Sequence, residues 1–145
     1  MAAETYQPTC SVNMTDFYNI KGNCVRGGPL PYNAHIQKNG HLCDMMGAAS
    51  STVVASGGVV EAHGGTMTSV YIKAGGKIIF NSAGVGNLYY ETGADIGEPS
   101  YITGDTIRCG IIKPSGVMEP VASDTCEEEG TEEYDDIYDR MDCSI

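Results

Sequence analysis

The chain has 145 residues, 41% of them hydrophobic, with 19 glycines, no tryptophan and only two phenylalanines, which is enough for one domain built on a thin aliphatic core. Its net charge of −11 is uneven: residues 1–123 hold nine acidic groups against seven basic ones, and residues 124–142 hold ten carboxylates against Arg140 alone. That balance excludes a nucleic-acid partner, which needs a basic footprint, and no apolar run reaches the roughly 20 residues of a membrane span.

Residues 1 to about 48 show no period. They contain Cys10, Cys24 and Cys43 and turn-forming stretches such as RGGPLPYN and QKNGH, and they are expected to form an irregular N-terminal cap. The opening residues, MAAETYQPTC, do not read as a secretory signal. Asn13-Met14-Thr15 fits a glycosylation sequon, which has meaning only in a glycosylating compartment.

Residues about 49 to 115 repeat every 18 positions. VVASGG, YIKAGG and YYETGA align so that Gly57, Gly75 and Gly93 fall in register, and Gly86 and Gly104 form a second column. Within each repeat runs a six-residue beat. Val54, Val60, Ile72, Ile78, Tyr90, Ile96 and Ile102 share its phase, which only Thr66, Gly84 and Arg108 interrupt. Glycine pairs and β-branched runs disfavour a helix by roughly 0.5–1 kcal/mol per residue, and no 3.6-residue stripe compensates. The pattern predicts an all-β fold: a short parallel β-solenoid of about 18 residues per coil, with the seven phase residues as its core. Three and a half coils at about 4.8 Å each make a rod of only about 16 Å, with a raw strand edge at each end to be covered or paired.

Residues about 116 to 145 form a C-terminal segment that passes into EEEGTEEYDDIYDR. It reads as a solvated acidic end, since DDIYD lacks the spacing and glycine of a calcium loop. Tyr134, Ile137, Tyr138 and Met141 are nevertheless spaced as one face of a short helix that Cys143 could tether.

The six cysteines lack zinc-site spacing, and disulfides are expected, hence an oxidising, extracellular or surface location. The absent signal then implies a mature or recombinant form, or exit by another route. Three cysteines precede the repeat (Cys10, Cys24, Cys43) and three lie at or after its end (Cys109, Cys126, Cys143). If all pair, at least one bridge must join the two sides. Either a terminal arm folds back along the rod, or one subunit is joined to the next, head to tail, in a contact that propagates into a fibre when its rotation does not close.

The stretch SSTVVASGGVVEAHGGTMTSVYIKAGGKIIFNSAG resembles the passenger repeats of self-associating autotransporter adhesins. The matching elements are Val53-Val54, Ser56-Gly57-Gly58, Val59-Val60, Gly64-Gly65-Thr66 and Ile72 to Gly76. The resemblance covers about 60 residues of the chain. It implies a parallel β-helix, right-handed in that family, that serves as an extracellular spacer or adhesive surface. The six-residue beat by itself fits a left-handed β-helix equally well.

Candidate chemistry is sparse. His63 could act as a general base for acyl transfer on a hexapeptide-type β-helix, or join His35 and His41 around a metal, but it sits beside Gly64-Gly65 and reads as a turn residue. Glu61, Glu91, Asp95, Glu98 and Asp105 could serve a polysaccharide lyase or hydrolase, but Glu61 and Glu91 do not share an 18-residue column. The expectation is therefore a non-enzymatic extracellular structural or adhesive subunit, without cofactor or metal, that self-assembles into a disulfide-stabilised fibre or surface filament. Its partners are copies of itself, head to tail or as a trimer, with a surface glycan or protein as a further ligand. A virion or tail-fibre component is the first alternative; a carbohydrate-active or acyl-transfer enzyme is the second.

Overall fold

The computed structural model describes residues 4–15, 17–27, 33–45, 51–115, 132–141 and 143. In chain order these residues form β1 (Thr5–Asn13), β2 (Phe17–Ile20), β3 (Asn23–Arg26), β4 (Asn33–Ile36), β5 (His41–Met45), β6 (Thr52–Val54), β7 (Val59–His63), β8 (Thr66–Ile72), β9 (Lys77–Asn81), β10 (Gly84–Glu91), β11 (Asp95–Ile96), β12 (Thr106–Ser115) and α1 (Glu132–Met141). The strands make two parallel sheets, one ordered β11-β9-β7-β5-β3 and the other β1-β12-β10-β8-β6-β4-β2. The fold is a parallel β-solenoid of five coils, since each coil gives one strand to the shorter sheet.

The register carries the 18-residue period. Cys24, Leu42, Val60, Ile78 and Ile96 form one ladder column, and Ile36, Val54, Ile72 and Tyr90 face it from the other sheet. Leu42, Val54, Val60, Ile72 and Ile78 have no exposed surface, and burying each such side chain contributes about 1.5–3 kcal/mol. The corners obey the same period. Asn39, Gly57, Gly75 and Gly93 all have positive φ, the left-handed region that glycine enters freely and asparagine tolerates. Their backbones make a ladder of their own: Asn39 N–H donates to Gly57 O at 3.1 Å, Gly57 N–H to Gly75 O at 2.9 Å and Gly75 N–H to Gly93 O at 3.1 Å.

Two expectations change here. Residues 17–27 and 33–45, expected within an irregular cap, wind as the first coils, because Cys24, Ile36, Asn39 and Leu42 supply the inward and corner positions one or two periods earlier. Ile102, expected in the core, is 36% exposed, and Tyr90 and Ile96 are only partly buried. Among the described residues β11 ends the shorter sheet at Ile96, Ile102 makes an isolated bridge to Val85, and the residue paired with Tyr90 on the next strand is the charged Arg108 rather than an apolar one.

The N-terminal strand lies far from its sequence neighbour. β1 pairs with β12, from Thr5 opposite Ile107 to Asn13 opposite Ser115, whereas β2 is the opposite edge strand. From Asn13 to Phe17 the chain can reach at most about 14 Å, short of the roughly 29 Å across six strand spacings. β1 and the distal part of β12 must therefore run along the rod. They do so as a two-stranded ribbon laid on the outer face of the longer sheet, where Cys10, Val12, Met14 and Ile112 cluster with Phe17, Val53, Tyr71 and Tyr89. The covered column includes Tyr71 and Tyr89, stacked at 4.3 Å; burial and the neighbouring Tyr89 hydroxyl push the Tyr71 phenol up to about 12. Cys10–Cys109 clamps the ribbon across 99 residues of sequence. Glu91 fastens it to the coil, accepting hydrogen bonds from Ile112 N–H at 2.7 Å and Ala74 N–H at 2.8 Å.

α1 packs against β3 and β5. Tyr138 and Cys143 join Val25, Cys43 and Met45 in a small apolar cluster, and Cys43–Cys143 makes the tether covalent. The C-terminal segment thus contains a docked helix. Of its expected apolar face only Tyr138 has a described side chain; Tyr134, Ile137 and Met141 lie outside the described side chains.

Candidate functional site

Two places concentrate chemistry. The first is the C-terminal end of the coil. Leu88, Tyr90, Ile96 and Ile102, with Gly97, Pro99 and Thr106, line an apolar groove of about 330 Å3, rimmed by Glu4 and Glu98. Tyr101, 46% exposed, follows the groove on the chain just before Ile102. The N-terminal end is different: Tyr18, Ile20 and Cys24, the equivalent core residues of the first coil, are each no more than 3% exposed. One end of the hydrophobic stack is sealed and the other is open to solvent.

The second place is the outer face of the shorter sheet. Cys43 stands opposite Glu61, and Met45 opposite His63, on adjacent coils. Outward positions of a strand alternate with core positions, so His41, Cys43, Glu61 and His63 share this face while Leu42, Val60 and Ala62 fill the interior. His41 Nε2 hydrogen-bonds Glu61 Oε2 at 2.6 Å, and His63 Nε2 lies 3.5 Å from Glu61 Oε1. Glu61 is 1% exposed; a carboxylate so deeply buried requires a hydrogen-bonding partner, and His41 is one. His63 Nε2 is itself buried and makes no hydrogen bond. A ring nitrogen of His63, Cys43 Sγ and Cys143 Sγ all lie within 4.8 Å of one another. With the two sulfurs bonded to each other, no thiolate is present to coordinate.

Asp44 is the inward neighbour of this face, in register with Arg26 and Ala62. It is 1% exposed, and neither carboxylate oxygen makes a hydrogen bond of ordinary geometry. Burial pushes its pKa up to about 8, against the opposing pull of the Arg26 charge and the Met45 amide. Asp44 is thus neutral over much of the ordinary pH range.

The remaining candidates are structural or dispersed. His35 is on the other sheet, edge-on to Phe17 at 5.9 Å; burial, and then the charge of Lys73, lower its pKa. It does not join His41 and His63. Glu91 is occupied with two backbone amides, Asp95 is 4.0 Å from Lys77, and Asp105 donates its backbone N–H to the Asn87 side chain. Every described cysteine is disulfide-bonded, Cys24 included; Cys126 lies outside the described residues. Both bridges with described partners join the N-terminal side to the C-terminal side of one chain. These disulfides fit an oxidising environment, and no described helix is long and apolar enough to cross a membrane. The His41–Glu61–His63 grouping went unread because His41 lies before the visible repeat. Its signal is the 18-residue step from His41 to Val59, which puts Glu61 and His63 two and four positions further along the same face. No protein-family model, curated protein or solved structure matches this chain.

Proposed function

We propose that the protein is a non-enzymatic structural or adhesive subunit of an extracellular or surface assembly, and that copies associate through the open C-terminal coil end. The observation that carries this reading is the asymmetry of the coil ends. The last coil leaves Tyr90, Ile96 and Ile102 partly exposed in an apolar groove beside the edge of β11, which pairs with no further described strand, and such a surface gains from burial against a like surface. The sealed first coil offers no matching apolar face, so the favoured contact joins open end to open end. A contact of that kind is self-complementary and closes as a pair. The described cysteines are satisfied within the chain, which leaves the association non-covalent.

Sedimentation velocity of the oxidised protein, native and Ile102→Lys, tests the reading. The native chain is expected to associate with rising concentration, and the exposed Ile102→Lys substitution to keep the fold and leave a monomer. A native protein that stays monomeric sinks the reading and makes the groove, whose volume lies within the range of small-ligand pockets, a site for another ligand. Long filaments would return the contact to head-to-tail geometry, and a stable trimer would favour the virion or tail-fibre alternative.

A further inference from the structure

We propose that Cys43, Cys143 and His63 form a redox-gated zinc site: in the oxidised protein the two sulfurs are a disulfide, and after reduction the same sulfurs and a His63 nitrogen bind one Zn2+. A tetrahedral zinc with ligands at about 2.0–2.3 Å separates neighbouring ligand atoms by about 3.5–3.8 Å. The three ligand atoms already lie within 4.8 Å of one another, and the two cysteine Cα atoms are 6.2 Å apart. Parting the sulfurs to a coordinating distance thus needs side-chain rotation rather than backbone movement.

His63 supplies an independent observation. Its side chain is 9% exposed, and its buried Nε2 is turned to Glu61 without a hydrogen bond of ordinary geometry. Glu61 stands beside it, with Oε2 held by His41 at 2.6 Å and Oε1 3.5 Å from His63 Nε2. A carboxylate beside the ring nitrogen that does not bind the metal is the arrangement that orients metal-binding histidines and raises their basicity, so with Glu61 beside Nε2 the nitrogen left for zinc is His63 Nδ1. Glu61 is accordingly a positioning residue here, and the fourth coordination place is left to water. Two thiolates cancel the charge of Zn2+, so the complex adds no net charge to a buried face.

The chemistry balances with a dithiol as reductant. Two electrons and two protons pass from the dithiol to the Cys43–Cys143 bond, giving two thiols and the oxidised cyclic disulfide of the reductant. Zn2+ then displaces both thiol protons to solvent. In either state α1 remains tied to β5, by a covalent bond or through the metal. The site needs nothing from the open coil end and stands or falls separately from the assembly.

The test is the midpoint potential of this one disulfide in the full-length protein, read by thiol labelling and peptide mapping in a dithiol redox buffer, with and without zinc. Zinc that binds only the reduced form raises the midpoint by about 30 mV for each tenfold excess over its Kd, so a hundredfold excess moves it by about 60 mV. Cys10–Cys109 in the same molecule is the internal control and stays where it was. His63→Ala abolishes the zinc-dependent shift, and Glu61→Gln weakens zinc binding about 10–100-fold with the stoichiometry kept at one. Cobalt added to the reduced native protein gives thiolate-to-metal absorption at one equivalent. A midpoint that zinc does not move, including because reduction unfolds the chain, overturns the proposal, as does an equal shift in His63→Ala.

Discussion

Replacing Asp44 by asparagine tests whether a carboxyl group is held neutral in the solenoid interior. Asp44 has a pKa of about 8 in the folded chain against 3.8 when unperturbed, so between these values the folded chain keeps a proton that the unfolded chain has released. The contribution of this one group to stability is then fully present below about pH 4 and is lost as pH rises towards 8, by about 1.4 kcal/mol per pH unit. Asparagine has the shape of the neutral acid but no proton to lose. Below about pH 4 the two proteins are expected to unfold at similar denaturant concentrations. By pH 8 the variant should be the more stable, by at most about 6 kcal/mol, an amount comparable with the whole stability of many small domains. Chemical denaturation of both oxidised proteins across this range, followed by far-ultraviolet circular dichroism, gives the difference directly. Contributions common to both proteins cancel in the difference. Parallel pH profiles for the two proteins would refute the reasoning, and would mean that Arg26 satisfies an ionised Asp44.

The core and the ribbon make two further predictions. Ile78→Asp, at a position with no exposed surface, buries an unpaired charge at a cost of several kcal/mol and should abolish the cooperative thermal melt; a soluble, β-rich variant with unchanged melting would show that Ile78 is not in the stack. Cys10→Ser with Cys109→Ser opens a loop of 99 residues and should lower stability by about 2–5 kcal/mol in guanidinium titrations. Unchanged stability would mean that the apolar contacts of β1 with Val53, Tyr71 and Tyr89 hold the ribbon unaided.

The solenoid was legible wherever glycine marked its corners. From Val53 onwards Gly57, Gly75 and Gly93 announce the period, and the apolar phase follows. One coil earlier the corner is Asn39, which reaches the same positive φ through its short polar side chain rather than through lack of one. Without paired glycines the inward Ile36 and Leu42 look like isolated hydrophobes. Continuing the phase backwards from Val54 and Val60 by 18 residues finds both, so the information was present but unpunctuated. At the other end the phase overreached. Ile102 keeps the periodicity, yet burial needs another layer above it, and a repeat pattern does not report whether that layer exists.

The ribbon and the docked helix depend on pairings about 100 residues apart, which no local pattern encodes. TYQPTCSVN and TIRCGIIKPS each suit a strand, but nothing in either specifies the other, or a path along the rod. Only the cysteine count constrained this: three on each side of the repeat demanded a crossing bridge, by a returning arm or by a second chain. The returning arm is found twice, in β1 through Cys10–Cys109 and in the segment ending at Cys143 through Cys43. Each return covers an outer face of the coil, the ribbon lying on the longer sheet and α1 on the shorter. The described parts of both terminal segments, β1 and α1, therefore lie on the flanks of the rod, while the last coil keeps Tyr90, Ile96 and Ile102 partly exposed. Adding a coil would only move the exposed layer outward, because a parallel stack always ends in an unpaired edge. Such an edge is relieved by an unrelated cap or by another end like itself. The two-residue β11, too short to template a long intermolecular ladder, suits an end whose association is driven by its apolar groove more than by backbone pairing.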